Sequence, residues 1–253
     1  MKDPVFLAKE SLINLSGKLL NQTGDMPAAS EHFLMFKTDA VSSGYCRTYV
    51  NSCPPGEEAA MAARLAEDIR AGVRPPLVML TAEEVPGLSA ELEKLGFVVK
   101  KRQNGMVMDS ADYMEKGMDA CVERIAEEDL PQWSAVCTRG FNRPKDELPT
   151  LRHFYHDPTC LFYGYRLEGQ IVATLMLSLQ PGNAGIHEVA TLPEYRGRGC
   201  CRALLNRAIT EARELGYPVI SLQASVYGEP IYASIGMEVV SHMVTYVLPA
   251  EVM

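Results

Sequence analysis

The alternation of apolar and polar positions divides the chain into two successions of similar elements. Residues 4–20, "PVFLAKESLINLSGKLL", place Phe6, Leu7, Leu12, Leu15 and Leu19 near helical spacing and predict one or two helices over the first 30 residues. "HFLMFKTD" and "SGYCRTYVNS" predict short strands or half-buried segments. "GEEAAMAARLAEDIRAG" predicts an amphipathic helix that starts after Pro54-Pro55, carries Met61, Leu65 and Ile69 on one face and stops at Gly72. "PPLVMLTA" predicts a buried strand, and "GLSAELEKLGF" a helix closed by Gly96. "FVVKKRQNGMVMD" predicts a hairpin turned at Asn104-Gly105.

The second half repeats this order after a strand pair, "CLFYGYRLEGQIVATLMLSL", turned at Glu168-Gly169. "AGIHEVATL" predicts a strand broken at Pro193, and "RALLNRAITEARELGY" an amphipathic helix stopped by Gly216. "PVISLQAS" predicts a buried strand, "EPIYASIGM" a short helix ending at Gly236, and "EVVSHMVTYVL" a closing strand. Gly96 answers Gly236 at an offset of about 140 residues. The pattern predicts two related units of mixed α/β (α+β) order rather than a repeated βαβ winding. The polar stretch "DSADYMEKGMDA" is the linker, which puts the units at 1–115 and 116–253.

The chain of 253 residues is 47% hydrophobic and 22% charged, enough apolar mass for a substantial core. A formal net charge of −8 excludes a general nucleic-acid binder, which needs a basic footprint. The seven cysteines show neither disulfide-framework nor zinc spacing. The N-terminal stretch lacks a signal-peptide core, and no run approaches the roughly 18 apolar residues of a membrane span. A cytoplasmic protein with no metal and no membrane partner is expected.

The densest candidate chemistry is "EYRGRGCCRALLNRA", residues 194–208, between a strand and a helix. Strand, glycine-rich turn and helix aim free backbone N–H groups at an anion. Gly197 and Gly199 let a phosphate approach the main chain. Arg196, Arg198 and Arg202 add charge there, and Arg207 lies further along the helix. The spacing excludes G-x-x-x-x-G-K-[ST] and a first-strand G-x-G-x-x-G.

"VATLPEYRGRGCCRALL" resembles the acyl-CoA signature [RQ]-x-x-G-x-[GA] of the GNAT acyltransferase superfamily. It is read on Arg196, Gly197, Arg198, Gly199, Cys200 and Cys201, with Cys201 replacing the usual Gly or Ala. "SVYGEPIYASIGM" resembles the family's N-x-x-A-x-x-[LI]-Y-x-x-x-G-[FM] segment, with Ser225 in place of Asn and Gly228 in place of Ala. The resemblance covers about residues 121–250. It implies two GNAT-like acyl-CoA N-acyltransferase units in tandem, the first degenerate. Its loop, "NSCPPGEEAAMAAR", carries Glu57 and Glu58, which would repel a pyrophosphate. Leu92 stands where the second unit has Tyr232.

The implied activity is acetyl transfer from acetyl-CoA, a co-substrate, to a primary amine of a small molecule or peptide. Val189, Ala190 and Thr191 would lie along the pantetheine arm, with backbone N–H near Val189–Ala190 polarising the thioester. Arg196–Arg202 would hold the pyrophosphate, with Ser225 and Tyr232 beside the cofactor. Tyr232 would protonate the leaving thiolate. Strand alternation pairs Glu188 with Ala190 and turns it to the cleft, where it would take the amine proton directly or through water; the alternative is a surface carboxylate. A non-catalytic acyl-CoA sensor or scaffold is the rival reading. Either would be a monomer or a homodimer.

Other residues read as structural. His187 has the opposite parity to Glu188. His153, His156, Asp157 and Cys160 are ligand types at short range, but no second cluster completes a metal site. Cys200 and Cys201 at a helix N-terminus beside arginines invite a lowered thiol pKa, but no adjacent base makes a nucleophile, so packing is expected. Trp133 and Phe141 fit either the core or an acceptor-lining helix.

Overall fold

The computed structural model describes residues 3–41 and 43–249, so Met1, Lys2 and the last four residues of the predicted C-terminal unit lie outside the described residues. The chain opens with α1 (Pro4–Thr23), started by the Asp3 carboxylate, which accepts from Val5 N at 3.0 Å, and ended by left-handed Gly24. Next come β1 (Ala28–Ala29), β2 (Phe33–Phe36), β3 (Arg47–Val50), α2 (Glu58–Arg70), β4 (Leu77–Thr81), α3 (Leu88–Lys94) and β5 (Val98–Asp109). The second unit supplies β6 (Val122–Arg124), α4 (Leu130–Gly140), α5 (Leu148–Tyr155), β7 (Cys160–Leu167), β8 (Gln170–Gln180) and β9 (Asn183–Thr191). It continues with α6 (Cys200–Glu214), β10 (Val219–Ala224), α7 (Glu229–Ala233) and β11 (Glu238–Val247).

All eleven strands among the described residues join one sheet in the order β1-β2-β3-β4-β11-β5-β10-β9-β8-β7-β6. Two parallel pairs mark the repeat: β3 with β4, and β9 with β10. At the seam the units exchange their final strands. β5 pairs antiparallel with β10, β11 pairs antiparallel with β4, and β5 and β11 pair with each other.

This exchange corrects the hairpin expected at Asn104-Gly105. Residues 98–109 form one continuous strand of 12 residues, because both its edges find partners distant in sequence. Gly105 serves close approach instead of a turn. A Cβ there would lie 2.8 Å from Ala8 Cβ of α1 and would collide with Ser241 of β11.

The first helix crosses this seam and lies over the second unit's strands. Leu7 O accepts from Asn183 Nδ2 at 3.0 Å, and Lys18 Nζ donates to Ser178 Oγ at 2.8 Å and Leu179 O at 3.0 Å. The largest apolar cluster gathers Trp133, Phe154, Phe162, Leu175, Leu204 and Ile209 between the sheet and α4, α5 and α6. A second, around Leu65, Leu80, Leu88 and Tyr246, packs α2 and α3 against β4 and β11. Trp133 is fully buried and donates Nε1 to Tyr163 O at 2.8 Å, so it anchors the core.

Candidate active site

The parallel pairing of β9 and β10 runs from Asn183/Val219 to Ile186/Leu222 and then stops. Beyond that point β9 continues to Thr191 with one edge unpaired toward β10, which opens a wedge in the sheet. At the mouth of the wedge β9 is bulged. Thr174 faces Ala190 and Met176 faces His187, so Glu188 and Val189 together oppose the single residue Leu175. Glu188 has a φ of 52°, the left-handed region, and this breaks the simple alternation expected here. Its carbonyl accepts from Thr174 Oγ1 at 2.8 Å. In a planar trans peptide the N–H lies opposite the C=O, so Val189 N–H points away from the Thr174 hydroxyl.

The turn after β9 enters α6 at Cys200. Gly197 (φ 74°) and Gly199 (φ 87°) are both left-handed, and a Cβ on either would meet nothing within 4 Å. The helix start therefore faces open space. The arginines are placed differently from one another. Arg196 is tied to the scaffold: Nε donates to Thr191 O at 3.2 Å and Nη2 to Gly140 O at 2.9 Å. Arg198 lies 5.0 Å from the Tyr195 ring centre, beside a cavity of about 450 Å³ lined by Leu167, Glu168, Glu194 and Tyr195. Arg202 donates to Ser234 Oγ at 3.0 Å and lines a second cavity of about 300 Å³ with Tyr113, Lys116 and Gly236.

Across the wedge stands α7. Ser225 closes the turn before it, its Oγ and O accepting from Gly228 N at 3.3 and 2.9 Å. Tyr232 is 8% exposed and belongs to the apolar cluster that also touches Val189 and Cys201. A Cβ at Gly228 would lie 2.8 Å from the Tyr232 ring, so the small residue there lets the ring seat. Burial, and then Cys201, hold the phenol pKa above its ordinary value, and Tyr232 carries its proton at neutral pH.

Glu188 occupies a network absent from the sequence reading. Arg143 Nη2 donates to both its carboxylate oxygens, at 3.0 and 2.8 Å, and Tyr45 OH donates to Oε1 at 2.9 Å. The Glu188 side chain is 4% exposed, and three chain segments meet on it: the approach to β3, the α4–α5 loop and β9. Burial first, and Glu188 second, raise the Tyr45 pKa well above its ordinary value. Glu147 sits in the same cluster, its pKa raised by burial against the pull of Arg143. Lys101 and Arg47 complete it from β5 and β3.

The remaining candidates fall outside this cluster. Cys200 is buried and its thiol pKa is raised, chiefly by burial; burial first, then Cys200, push the Cys201 thiol up to about 12. Burial thus outweighs the helix terminus and the arginines. All seven cysteines are free. Asp157 closes its own turn by accepting from Thr159 N at 2.9 Å, and among the described residues no three metal-type side chains converge. His187 is buried and neutral, its pKa lowered to about 3 by burial and by Lys18. Phe141 lies on the surface, 4.6 Å from the Arg143 guanidinium.

Residues 122–232 match the model described as the Acetyltransferase (GNAT) family. The match lies within the second unit and identifies a GNAT acetyltransferase domain there. No curated protein matches the sequence. Three solved structures share the whole architecture. A GCN5-related N-acetyltransferase from Kribbella flavida superposes with a TM-score of 0.71 at 19% identity, covering 95% of this chain and 96% of its own. A conserved protein of unknown function from Staphylococcus epidermidis gives 0.65 at 10% identity, over 87% and 92%. A GCN5-related N-acetyltransferase from Sphaerobacter thermophilus gives 0.61 at 16% identity, over 93% and 90%. At these identities the likeness is one of fold, and it extends over both GNAT-like units. Among the described residues no helix is long and apolar enough to cross a membrane.

Proposed function

We propose that the chain transfers an acetyl group from acetyl-CoA to a primary amine of a small molecule or peptide, with one acetyl-CoA bound in the wedge between β9 and β10. The observation that carries this reading is the unpaired edge of β9 beyond Ile186, set between the open start of α6 and the protonated Tyr232. The pantetheine arm would pair with Val189, Ala190 and Thr191. Val189 N–H, directed away from the Thr174 hydroxyl, would polarise the thioester carbonyl as negative charge develops on its oxygen. The main chain of Gly197–Cys201 would hold the pyrophosphate, with Arg198 and Arg202 beside it and Arg196 bracing the loop. Tyr232 would give its proton to the departing thiolate.

In this reading Glu188 first builds the pocket, since both its oxygens are already bonded, and it receives the amine proton through water. The first unit, spanning 1–115, binds no acyl-CoA, because Glu57 and Glu58 stand at its helix start and the buried Leu92 replaces the tyrosine. It contributes instead the Tyr45 side of the acceptor pocket. Seven free thiols fit a reducing cytoplasm.

Calorimetry with acetyl-CoA, followed by CoA release over an amine library, tests the proposal. One site per chain and amine-dependent CoA release are expected. Two sites per chain, or none in folded protein, would overturn it, and binding without release under any amine would favour a sensor.

A further inference from the structure

The cluster around Glu188 is unbalanced in charge. Glu188 and Arg143 satisfy each other, and Tyr45 takes the remaining contact on Oε1. Among the described residues Arg47 has only neutral partners. Its Nε and Nη2 donate to Gly44 O, its Nη1 faces Met79 Sδ at 3.5 Å, and its guanidinium lies 5.9 Å from the Tyr49 ring centre. Lys101 donates to no described residue. It is open to solvent yet flanked by protein, and it lies within electrostatic reach of Arg47, Arg143 and Lys100, with Glu188 as the opposing charge. Its pKa is lowered to about 8, first by desolvation from the protein packed around it and then by Arg47.

Both cations stand on the face of the sheet that α1 covers. Tyr49, two residues beyond Arg47 on β3, meets Ser16 of α1 at 3.1 Å. Gly105, four residues beyond Lys101 on β5, lies against Ala8 of α1. Tyr45 is on that side as well, its carbonyl accepting from Ser16 Oγ at 2.8 Å. Two cations on one face of the sheet, on strands separated by β4 and β11, within electrostatic reach of each other and among the described residues without a carboxylate partner, are an arrangement that an incoming anion reaching both completes.

We propose that the acceptor is an anionic amine, one carrying a carboxylate or a phosphate, and that Arg47 and Lys101 hold this group while the amine points toward β9. This rests on the reading of the chain as an acetyl-CoA-dependent amine acetyltransferase. The degenerate unit then has a specific task, since both residues that recognise the anion belong to it.

Calorimetry with acetyl-CoA tests the transferase reading separately. The anion site is tested by saturation-transfer NMR on CoA-loaded protein, with N-acetyl amino acids set against their carboxamides; this needs no turnover. Steady-state CoA release then compares amino acids with their amides, and phosphoethanolamine with ethanolamine. Acids are expected to bind and react in preference to their neutral counterparts, and the two pairs tell carboxylate from phosphate. Arg47→Gln and Lys101→Gln are each expected to reduce the acid-to-amide preference by roughly tenfold or more, mainly through KM, with Arg47→Lys keeping part of it. Melting curves establish that each variant is folded, and the wild-type comparison stands without them. Equal binding of acid and amide, binding of neither, or an unchanged preference in both folded glutamine variants would overturn the proposal.

Discussion

Gly199 offers a way to separate backbone strain from ligand contact. It precedes α6 with a φ of 87°, and a Cβ added there would meet nothing within 4 Å. Gly199→Ala therefore causes no steric clash in the protein. Its folded-state cost is the left-handed backbone alone, about 1–2 kcal/mol. In a chain of this size that lowers Tm by roughly 2–8 °C. Gly182, in the β8–β9 turn, is matched: its φ is 80° and its space is equally empty, but it lies at the far end of β9 from α6. Gly182→Ala should lose the same stability and keep its acetyl-CoA affinity. Gly199→Ala should also weaken acetyl-CoA by roughly tenfold to a hundredfold, the worth of one charge-assisted hydrogen bond to the pyrophosphate. Gly199→Asn should recover part of the stability, because Asn tolerates this backbone, without recovering affinity. Calorimetry beside differential scanning measures both quantities. An unchanged Kd in Gly199→Ala, or an equal loss in Gly182→Ala, would refute the assignment of this loop to the pyrophosphate.

Three further outcomes follow from the site and its surroundings. Tyr232→Phe should lower kcat by roughly tenfold to a hundredfold with little change in acetyl-CoA affinity, because the ring still packs and only the proton is lost; wild-type kcat would remove Tyr232 from the mechanism. His187 has a folded pKa of about 3 against the ordinary 6.5, so the unfolded chain takes up a proton that the native chain refuses. Stability from this residue is fully present above pH about 6.5 and falls on acidification toward pH 3 by up to about 1.4 kcal/mol per pH unit; His187→Gln should flatten that slope in melts at successive pH values. Cys201, with its thiol at about 12, should react with iodoacetamide at pH 7.5 far more slowly than free cysteine, and peptide mass mapping would expose the opposite.

The repeat was legible because it is written in local signals: the glycines that stop α2 and α6, and the Gly96 and Gly236 that follow α3 and α7. The turn at 196–199 was legible for the same reason, since two left-handed glycines before an amphipathic helix are a local arrangement. The exchange of β5 and β11 was not. Asn104-Gly105 carries a strong turn signal, and only the partners waiting on both edges of the strand override it. Nor could the Glu188 network be read, because Tyr45, Arg143 and Glu188 belong to segments that meet only through folding. The bulge that turns Glu188 was hidden too, since alternation assumes an unbroken ladder.

The strand exchange bears on how the chain is made. β4 lies against β11, so Leu80 of the first unit pairs with Val244, in the last strand of the second. During synthesis the first half emerges with this edge uncovered, and its own β5 belongs between two strands that do not yet exist. It cannot complete its sheet before the second half is translated. Pairing of such long reach slows folding and leaves a strand edge open to unwanted partners in the interval. The protein should therefore fold after translation as one cooperative body, and a ribosome stalled in the second half should hold a first half that remains sensitive to protease.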